Sequence, residues 1–450
     1  MAQSLMIIGC GPGGYATAEY AAKQGLRVTV FEKAEAGGTC LNRGCIPTKV
    51  YCHAAGLVLD NANASGWGLW PSPSQRGVDF GRLHEHKEAV VAQLRQGVET
   101  LMAQPGIELV RGAARLKDDH TVVCNGTDYT ADHILIATGS HPVMPRVEGI
   151  NNARVVDSTG LLALDTLPKR LVIIGAGVIG MEMASAFSAF GTEVTVVEFL
   201  KECLPMADSD LAKRLRRSLE KRGVKFYLQA AAKSVSTEGV SAPDSAALTF
   251  TQKGKDFTVE GDIILAATGR GPNTEELGLE AAGIDFDRHG IKVNDCFETS
   301  VKGVFAIGDV NGRMQLAHAA EAQGRVVVDA IAGRENHMKM SLVPWAVFTT
   351  PELAGTGPTE DVLKATMTGE DRPQVVKSYY RANGKAVTMD ATDGLVKVIA
   401  APDGRLLACH ILGAHAADLV QEVSALISVG ATLRDLDAVI HIHPTLQELL

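Results

Sequence analysis

The chain has 450 residues, of which 46% are hydrophobic and 21% charged, with a formal net charge of −9. That length exceeds a single core and predicts three or four domains, while the acidic balance excludes an electrostatic nucleic-acid surface. The longest apolar runs, such as 171–181, are short and interrupted by glycine, which excludes a membrane-spanning helix.

Leu5-Met6-Ile7-Ile8 has no basic flank and runs straight into Gly9, so it reads as a first strand and not as a secretory signal. A cytoplasmic protein is expected. The eight cysteines are scattered, unlike the dense framework of a secreted domain.

Residues 4–32 form a βαβ pattern. A strand ends at Ile8, Gly9-Cys10-Gly11-Pro12-Gly13-Gly14 follows, a helix runs from Tyr15 to Gln24, and a strand from Arg27 ends at Glu32. The glycines at 9, 11 and 14 allow a tight turn, close approach of a pyrophosphate and close helix–strand packing. The helix N-terminus binds the pyrophosphate, and Glu32 is placed to accept from a ribose.

Gly37-Gly38-Thr39-Cys40-Leu41-Asn42-Arg43-Gly44-Cys45-Ile46-Pro47-Thr48-Lys49 comes next. The five-residue step from Cys40 to Cys45 predicts both sulfurs on one side of a first helical turn. A helix N-terminus lowers the pKa of a thiol placed there, which suits a dithiol that opens and closes. Two cysteines are too few for a structural zinc site. A redox pair and two inert buried thiols both remain open on these residues alone. A helical stretch through Leu59, a glycine- and proline-rich loop at 66–77 and a long helix over 82–102 follow. The strand Ile134-Leu135-Ile136-Ala137-Thr138-Gly139 closes the module.

The same unit returns at 171–198. Its glycines are Gly175, Gly177 and Gly180, its acid is Glu198, and Ile263 to Gly269 closes it. Gly175 and Glu198 are as far apart in the chain as Gly9 and Glu32. Two homologous dinucleotide modules are therefore expected, the first carrying an insertion with the cysteine pair. A dithiol exchanges electrons well with a flavin, so FAD is expected in the first module and a nicotinamide in the second. Glu198 would repel a 2′-phosphate, which favours NAD.

A strand over 299–309 ends at Asp309, and Leu316-Ala317-His318 opens a helix. Asp309 is either a cap or turn residue or a ligand for a flavin's polyol chain. From 341 the pattern becomes α+β, with strands at 342–349, 375–380, 394–400 and 406–413 and helices at 416–429 and 433–439. It ends in His441-Ile442-His443-Pro444-Thr445-Leu446-Gln447-Glu448. Glu448 can orient His443 as a general base. A core histidine, or a metal site using His441 and His443, is the alternative, and the metal reading lacks further clustered ligands.

Together these motifs resemble the flavin disulfide reductases, and among them the dihydrolipoamide dehydrogenase branch, over essentially the whole chain. The resemblance is carried by GGTCLNRGCIPTK at 37–49, GAGVIG with VTVVEFL at 175–200, and HPTLQE at 443–448. It implies an α/β fold of two Rossmann-like domains with a C-terminal α+β domain. The domains would be FAD-binding at 1–140, NAD-binding at 141–270, central at 271–340 and dimerisation at 341–450. It implies tightly but non-covalently bound FAD, NAD⁺/NADH, no metal, and a homodimer in which each site takes its histidine from the other subunit. The implied partner is a lipoyl-bearing acyltransferase or H-protein of a 2-oxo acid dehydrogenase or glycine cleavage system.

Carried over by position, Cys45 would touch the flavin and Cys40 would exchange with substrate. Lys49 and Glu182 would be the ion pair near the flavin, Asp309 would bind the ribityl chain, and His443 with Glu448 would be the base. The FAD site would also take in Gly9, Gly11, Pro12, Gly13, Gly14, Glu32, Lys33, Gly38, Thr39, Ala137, Thr138, Gly139, Leu316, Ala317 and His318. The NAD site would take in Gly175, Gly177, Val178, Ile179, Gly180, Glu182, Glu198 and Gly269. The second reading is another NAD(P)H-dependent flavin disulfide reductase of the glutathione, mycothione or mercuric kind. A mercuric type would need cysteines after Cys409. Glutathione-type relatives carry alanine in place of Gly180 and basic residues near Glu198.

Overall fold

The computed structural model describes residues 3–69 and 77–450. Of the loop expected at 66–77, Ala64–Trp67 forms a 3-10 turn, and residues 70–76 lie outside the described residues. The chain divides into two compact units. One comprises Met1–Thr48, His84–Val143 and Gly269–Met340, the other Lys49–Leu83, Met144–Thr268 and Ser341–Leu450. No helix among the described residues is long and apolar enough to cross a membrane.

The first unit is built on a five-stranded parallel sheet in the order Val304–Ala306, His133–Ile136, Ser4–Ile8, Arg27–Glu32, Ile107–Arg111. Leu5, Ile7 and Leu135 pack with Ala18 and Ala21 of the helix Pro12–Lys23. Met6, Ile8, Ile134 and Ile136 enter a second core with Leu116 and Val122. Burial on both faces explains why these strands read as unbroken apolar runs.

The second unit repeats the pattern. Its parallel sheet runs Lys225–Tyr227, Glu193–Val197, Arg170–Ile174, Ile263–Ala266, Val155–Val156. In both sheets the glycine-loop strand lies between the strand that carries the acid and the closing strand. Tyr51, Phe80, Phe187 and Phe190 pack edge-on or tilted, with ring centroids 5.5 to 6.2 Å apart.

The C-terminal α+β part is an antiparallel sheet in the order Trp345–Val347, Glu352–Thr356, Leu406–Gly413, Leu395–Ala400, Gln374–Tyr379. Leu419, Val420, Val423 and Ile427 of the helix Ala416–Ser428 recur at helical spacing and pack with Val396, Val398 and Ile411. The strand expected over 342–349 shortens to Trp345–Val347, and the strand Glu352–Thr356 and helix Glu360–Thr366 are additional to the expected elements.

Each nucleotide module also holds an antiparallel three-stranded meander that sequence reading missed. One is Ala114–Leu116, Thr121–Cys124 and Thr127–Thr130; the other is Ala230–Ser236, Ala246–Gln252 and Lys255–Gly261. The readable signals are Asn125-Gly126 and Lys253-Gly254, where both residues of each pair take positive φ. That is the backbone of a two-residue hairpin turn matched to strand twist.

Candidate active site

The two glycine loops solve one steric problem in the same way. Gly9 has φ +106, and a Cβ there would meet the Ala137 carbonyl; Gly175 has φ +104, and its Cβ would meet the carbonyl of Ala267. A Cβ on Gly14 or Gly180 would strike the carbonyl oxygen of Gly9 or Gly175. The helices Pro12–Lys23 and Val178–Ala189 therefore start tight against their strands, and neither N-terminus carries a side-chain cap. Uncapped first-turn N–H groups form a site for an anion such as a pyrophosphate.

Each module's acid is held by the same two backbone donors. Glu32 accepts from the N–H of Cys10 and of Ala34, both at 2.8 Å. Glu198 accepts from Ala176 N–H and from Leu200 N–H, the latter at 2.7 Å. One bond to each oxygen leaves acceptor capacity for ribose hydroxyls. Lys33 is exposed, Val178 and Ile179 lie half-buried in the first turn of their helix, and Gly269 has open space around its Cβ direction.

The polar wall of the first module comes from the closing turn. Thr138 donates its hydroxyl to Asn273 O at 2.9 Å, and the Asn273 amide donates to Thr138 O at 2.8 Å. Asp309 accepts from the Ser140 hydroxyl through one carboxylate oxygen, and its other oxygen has no protein partner among the described residues. Ser140 is itself bound by Arg270 Nε at 2.7 Å. Buried Gln323 accepts from Gly308 N–H at 2.8 Å and from Asn311 at 3.0 Å, fixing the turn that presents Asp309. Leu316 is the N-cap of helix Ala317–Ile331 and adds no side-chain cap, and His318 is exposed in its first turn. An uncapped helix start, a carboxylate with open acceptor sites and a carboxylate aimed from a fixed turn fit a dinucleotide with a polyol chain. Asn273, Gln323 and Ser140 were missed, because isolated amides and hydroxyls carry no spacing signal.

Cys40 and Cys45 form a disulfide with Cα atoms 4.6 Å apart. Here the expected helical placement needs correction. Cys40 lies in the short helix Gly38–Arg43, Gly44 breaks it at φ −142 and ψ −109, and Cys45 opens the separate helix Cys45–Asn63. On one continuous helix, sulfurs five residues apart would diverge by about 140°; the break folds them together. A Cβ on Gly44 would come 2.9 Å from Thr39 O and 3.3 Å from Cys40 Cα. Gly38, with φ +62, likewise brings its backbone to Gly11, where a Cβ would lie 2.6 Å from Gly11 Cα. Cys45 stands at the N-terminal end of a 19-residue helix, where a thiolate is favoured.

Lys49 follows one turn later on that helix. Its ammonium binds both oxygens of Glu182, at 2.8 and 2.9 Å, and lies 4.7 Å from the centre of the Phe348 ring. Glu182, with a side chain only 4% exposed, also accepts from Phe348 N–H at 2.9 Å. At the chain's end His443 Nδ1 is 2.8 Å from Glu448 Oε1, and Thr445 N–H donates to the other oxygen at 2.9 Å. Those bonds hold the Glu448 carboxyl below the usual carboxylate range. The His443 side chain is 79% exposed. His441 turns to a different acid, Glu422, at 2.8 Å.

Residues 3–324 match the family model for pyridine nucleotide-disulphide oxidoreductases, and residues 343–450 match that family's dimerisation domain. The chain belongs to this family. Its members include a dihydrolipoyl dehydrogenase of Bacillus subtilis, 38% identical over 99% of this chain and 94% of its own length. Another, from Thermus scotoductus, is 40% identical over 99% and 95%. Among solved structures, the HOCl-induced flavoprotein disulfide reductase RclA from Escherichia coli is 32% identical with a TM-score of 0.86, over 99% of this chain and 98% of that one. Family membership makes the protein an oxidoreductase of the class I disulfide type that works with FAD and NAD(P), with a fold of two Rossmann-like modules and a dimerisation domain.

Proposed function

We propose that the protein is a dihydrolipoamide dehydrogenase, oxidising protein-bound dihydrolipoyl groups with NAD⁺ as acceptor. One observation carries the reading: a Cys40–Cys45 disulfide at the head of a long helix, in a chain matching dihydrolipoyl dehydrogenases over 99% of its length.

In this mechanism Glu448 binds His443 through Nδ1 and leaves Nε2 facing outward. Nε2 takes the proton from one dihydrolipoyl thiol, and the thiolate attacks Cys40 Sγ. The Cys40–Cys45 bond breaks and Cys45 leaves as a thiolate, stabilised at its helix N-terminus. The second substrate thiol then displaces Cys40 from the mixed disulfide, releasing the oxidised lipoyl group, with Cys40 keeping a proton. Gly9, Gly11, Glu32 and Asp309 would hold FAD, which when bound would supply the two-electron redox chemistry linking the reduced dithiol to NAD⁺. Lys49 is held at one position by Glu182 and Phe348, so it supplies a fixed positive charge to the flavin site.

The carboxylate of Glu198 supports NAD over NADP, since a 2′-phosphate would be brought against a buried negative charge. The residues expected at the FAD and NAD sites keep those roles in this reading, with domains at 1–140, 141–270, 271–340 and 341–450. It works as a cytoplasmic homodimer, each site receiving His443 from the other subunit, and serves a lipoyl-bearing acyltransferase or H-protein. The test is Cys45→Ser. Lipoamide turnover should vanish while the purified protein stays yellow; retained turnover would contradict the mechanism.

The likeness to RclA favours a second reading, in which the same dithiol reduces another disulfide and lipoamide is a poor substrate. Turnover of lipoamide by the unaltered enzyme separates the two.

A further inference from the structure

The loop that presents His443 is held by very little. Val439 N–H donates to Leu436 O, and Thr445 N–H donates to Glu448. Between them, residues 440–444 make no backbone hydrogen bond among the described residues. Ile440 is 97% exposed and Ile442 79% within the single chain, so neither anchors the segment by packing on its own subunit. His441 does the opposite: its side chain is 15% exposed, and its Nε2 lies 2.8 Å from Glu422 Oε1, on the helix Ala416–Ser428 that packs on the C-terminal sheet.

We propose that His441 and Glu422 are positioning residues for His443, a tether upstream of the base matching the one Glu448 makes downstream. The inference rests on the reading of His443 as base. The two pairs use opposite ring nitrogens. Glu448 takes Nδ1 of His443 and leaves Nε2 for a thiol, whereas Glu422 takes Nε2 of His441 and so ties that ring to the scaffold. A general base works only within hydrogen-bond reach of its proton, and a displacement of about 1 Å can cost on the order of a hundredfold in rate. Losing the upstream tether leaves the three consecutive residues 440–442 with no hydrogen bond among the described residues.

The test uses the full-length flavoprotein with Glu422→Ala, His441→Ala and Glu422→Gln. With NADH and lipoamide, the two alanine variants should lose about tenfold or more in kcat, a cost smaller than full misplacement. Glu422→Gln should retain most of the rate, because its amide oxygen still accepts from Nε2–H. NADH-dependent reduction of ferricyanide, which needs no thiol deprotonation, should be unchanged in all three. In a His443→Ala background, Glu422→Ala should cost nothing further. Hydrogen exchange at the amides of 440–442 should be faster in Glu422→Ala than in the parent, a readout that does not depend on which disulfide the enzyme reduces. A failure of the lipoamide reading is therefore visible separately, in the parent's turnover. Unchanged turnover and exchange in Glu422→Ala, equal losses with lipoamide and ferricyanide, or a Glu422→Gln variant as impaired as Glu422→Ala would each overturn the tether.

Discussion

Cys10 sits inside the first glycine loop, fully buried, and burial pushes its thiol up to about 11. Burial likewise raises the thiols of Cys52, Cys124, Cys203 and Cys409. Since the thiolate is the nucleophile, these groups are inert at neutral pH. After mild reduction, iodoacetamide should label Cys40, Cys45 and exposed Cys296 first, read by peptide mass spectrometry. Fast labelling of Cys203 or Cys409 would contradict the burial argument. At this scale the acids were legible and the amides were not. Glu32 and Glu198 repeat the same spacing from a glycine, because each must reach back to the loop its strand adjoins. Asn273 and Gln323 fix turns from distant positions, and no local pattern marks them.

The dithiol depends on two short elements and the break between them. Gly44→Ala would place a methyl 2.9 Å from Thr39 O. The change should open the turn, cost about 1–3 kcal/mol as an overpacking substitution, and lower lipoamide turnover well beyond the loss of folded protein. A parallel thermal melt and turnover assay would separate the two, and an unaltered rate would show that the break is not needed. The parallel strands and long helices were readable because both kinds of element repeat a period over many residues. The one-helix placement of the cysteines failed because spacing alone does not reveal a break, although Gly44 between them was the available sign. The meanders were passed over because strands of three to seven residues are too short to establish a period; only their hairpin pairs mark them.

On the scale of the molecule, the second unit holds a charge network centred on a lysine of its antiparallel sheet. Lys397 is fully buried and binds Asp208, Asp210 and Glu360, each at 2.6 Å. Lys364 and Lys377 complete it at the edges. Lys397→Met removes the central cation and leaves the buried carboxylates of Asp208 and Glu360 facing each other and half-exposed Asp210, a loss of about 3–5 kcal/mol, measurable as a lower denaturant midpoint. Its pH signature has a defined sign. Burial pushes Asp210 and Glu360 up, but hydrogen bonds outweigh it, from Asp208 and Lys397 on Asp210 and from Lys364 and Lys397 on Glu360. Both carboxyls are thus held below their ordinary 3.8 and 4.5. The unfolded chain takes those protons first, so their stabilisation is lost as pH falls through and below about 4. Asp208, pushed up to about 6 by burial and by its bond to Asp210, acts in reverse: its contribution is lost as pH rises from 3.8 to about 6. Lys397→Met should blunt the acid-side loss; an unchanged acid profile would remove the network from the stability account.

The proposed function has two halves, oxidation of lipoyl groups by the dithiol and use of NAD as acceptor. NADH oxidation by the purified yellow protein with lipoamide as acceptor, run beside NADPH with glutathione disulfide, tests both halves at once. Fast turnover is expected with NADH and lipoamide and little with the NADPH pair. A protein that NADH reduces but that ignores lipoamide would contradict the substrate, and a preference for NADPH would contradict the role given to Glu198.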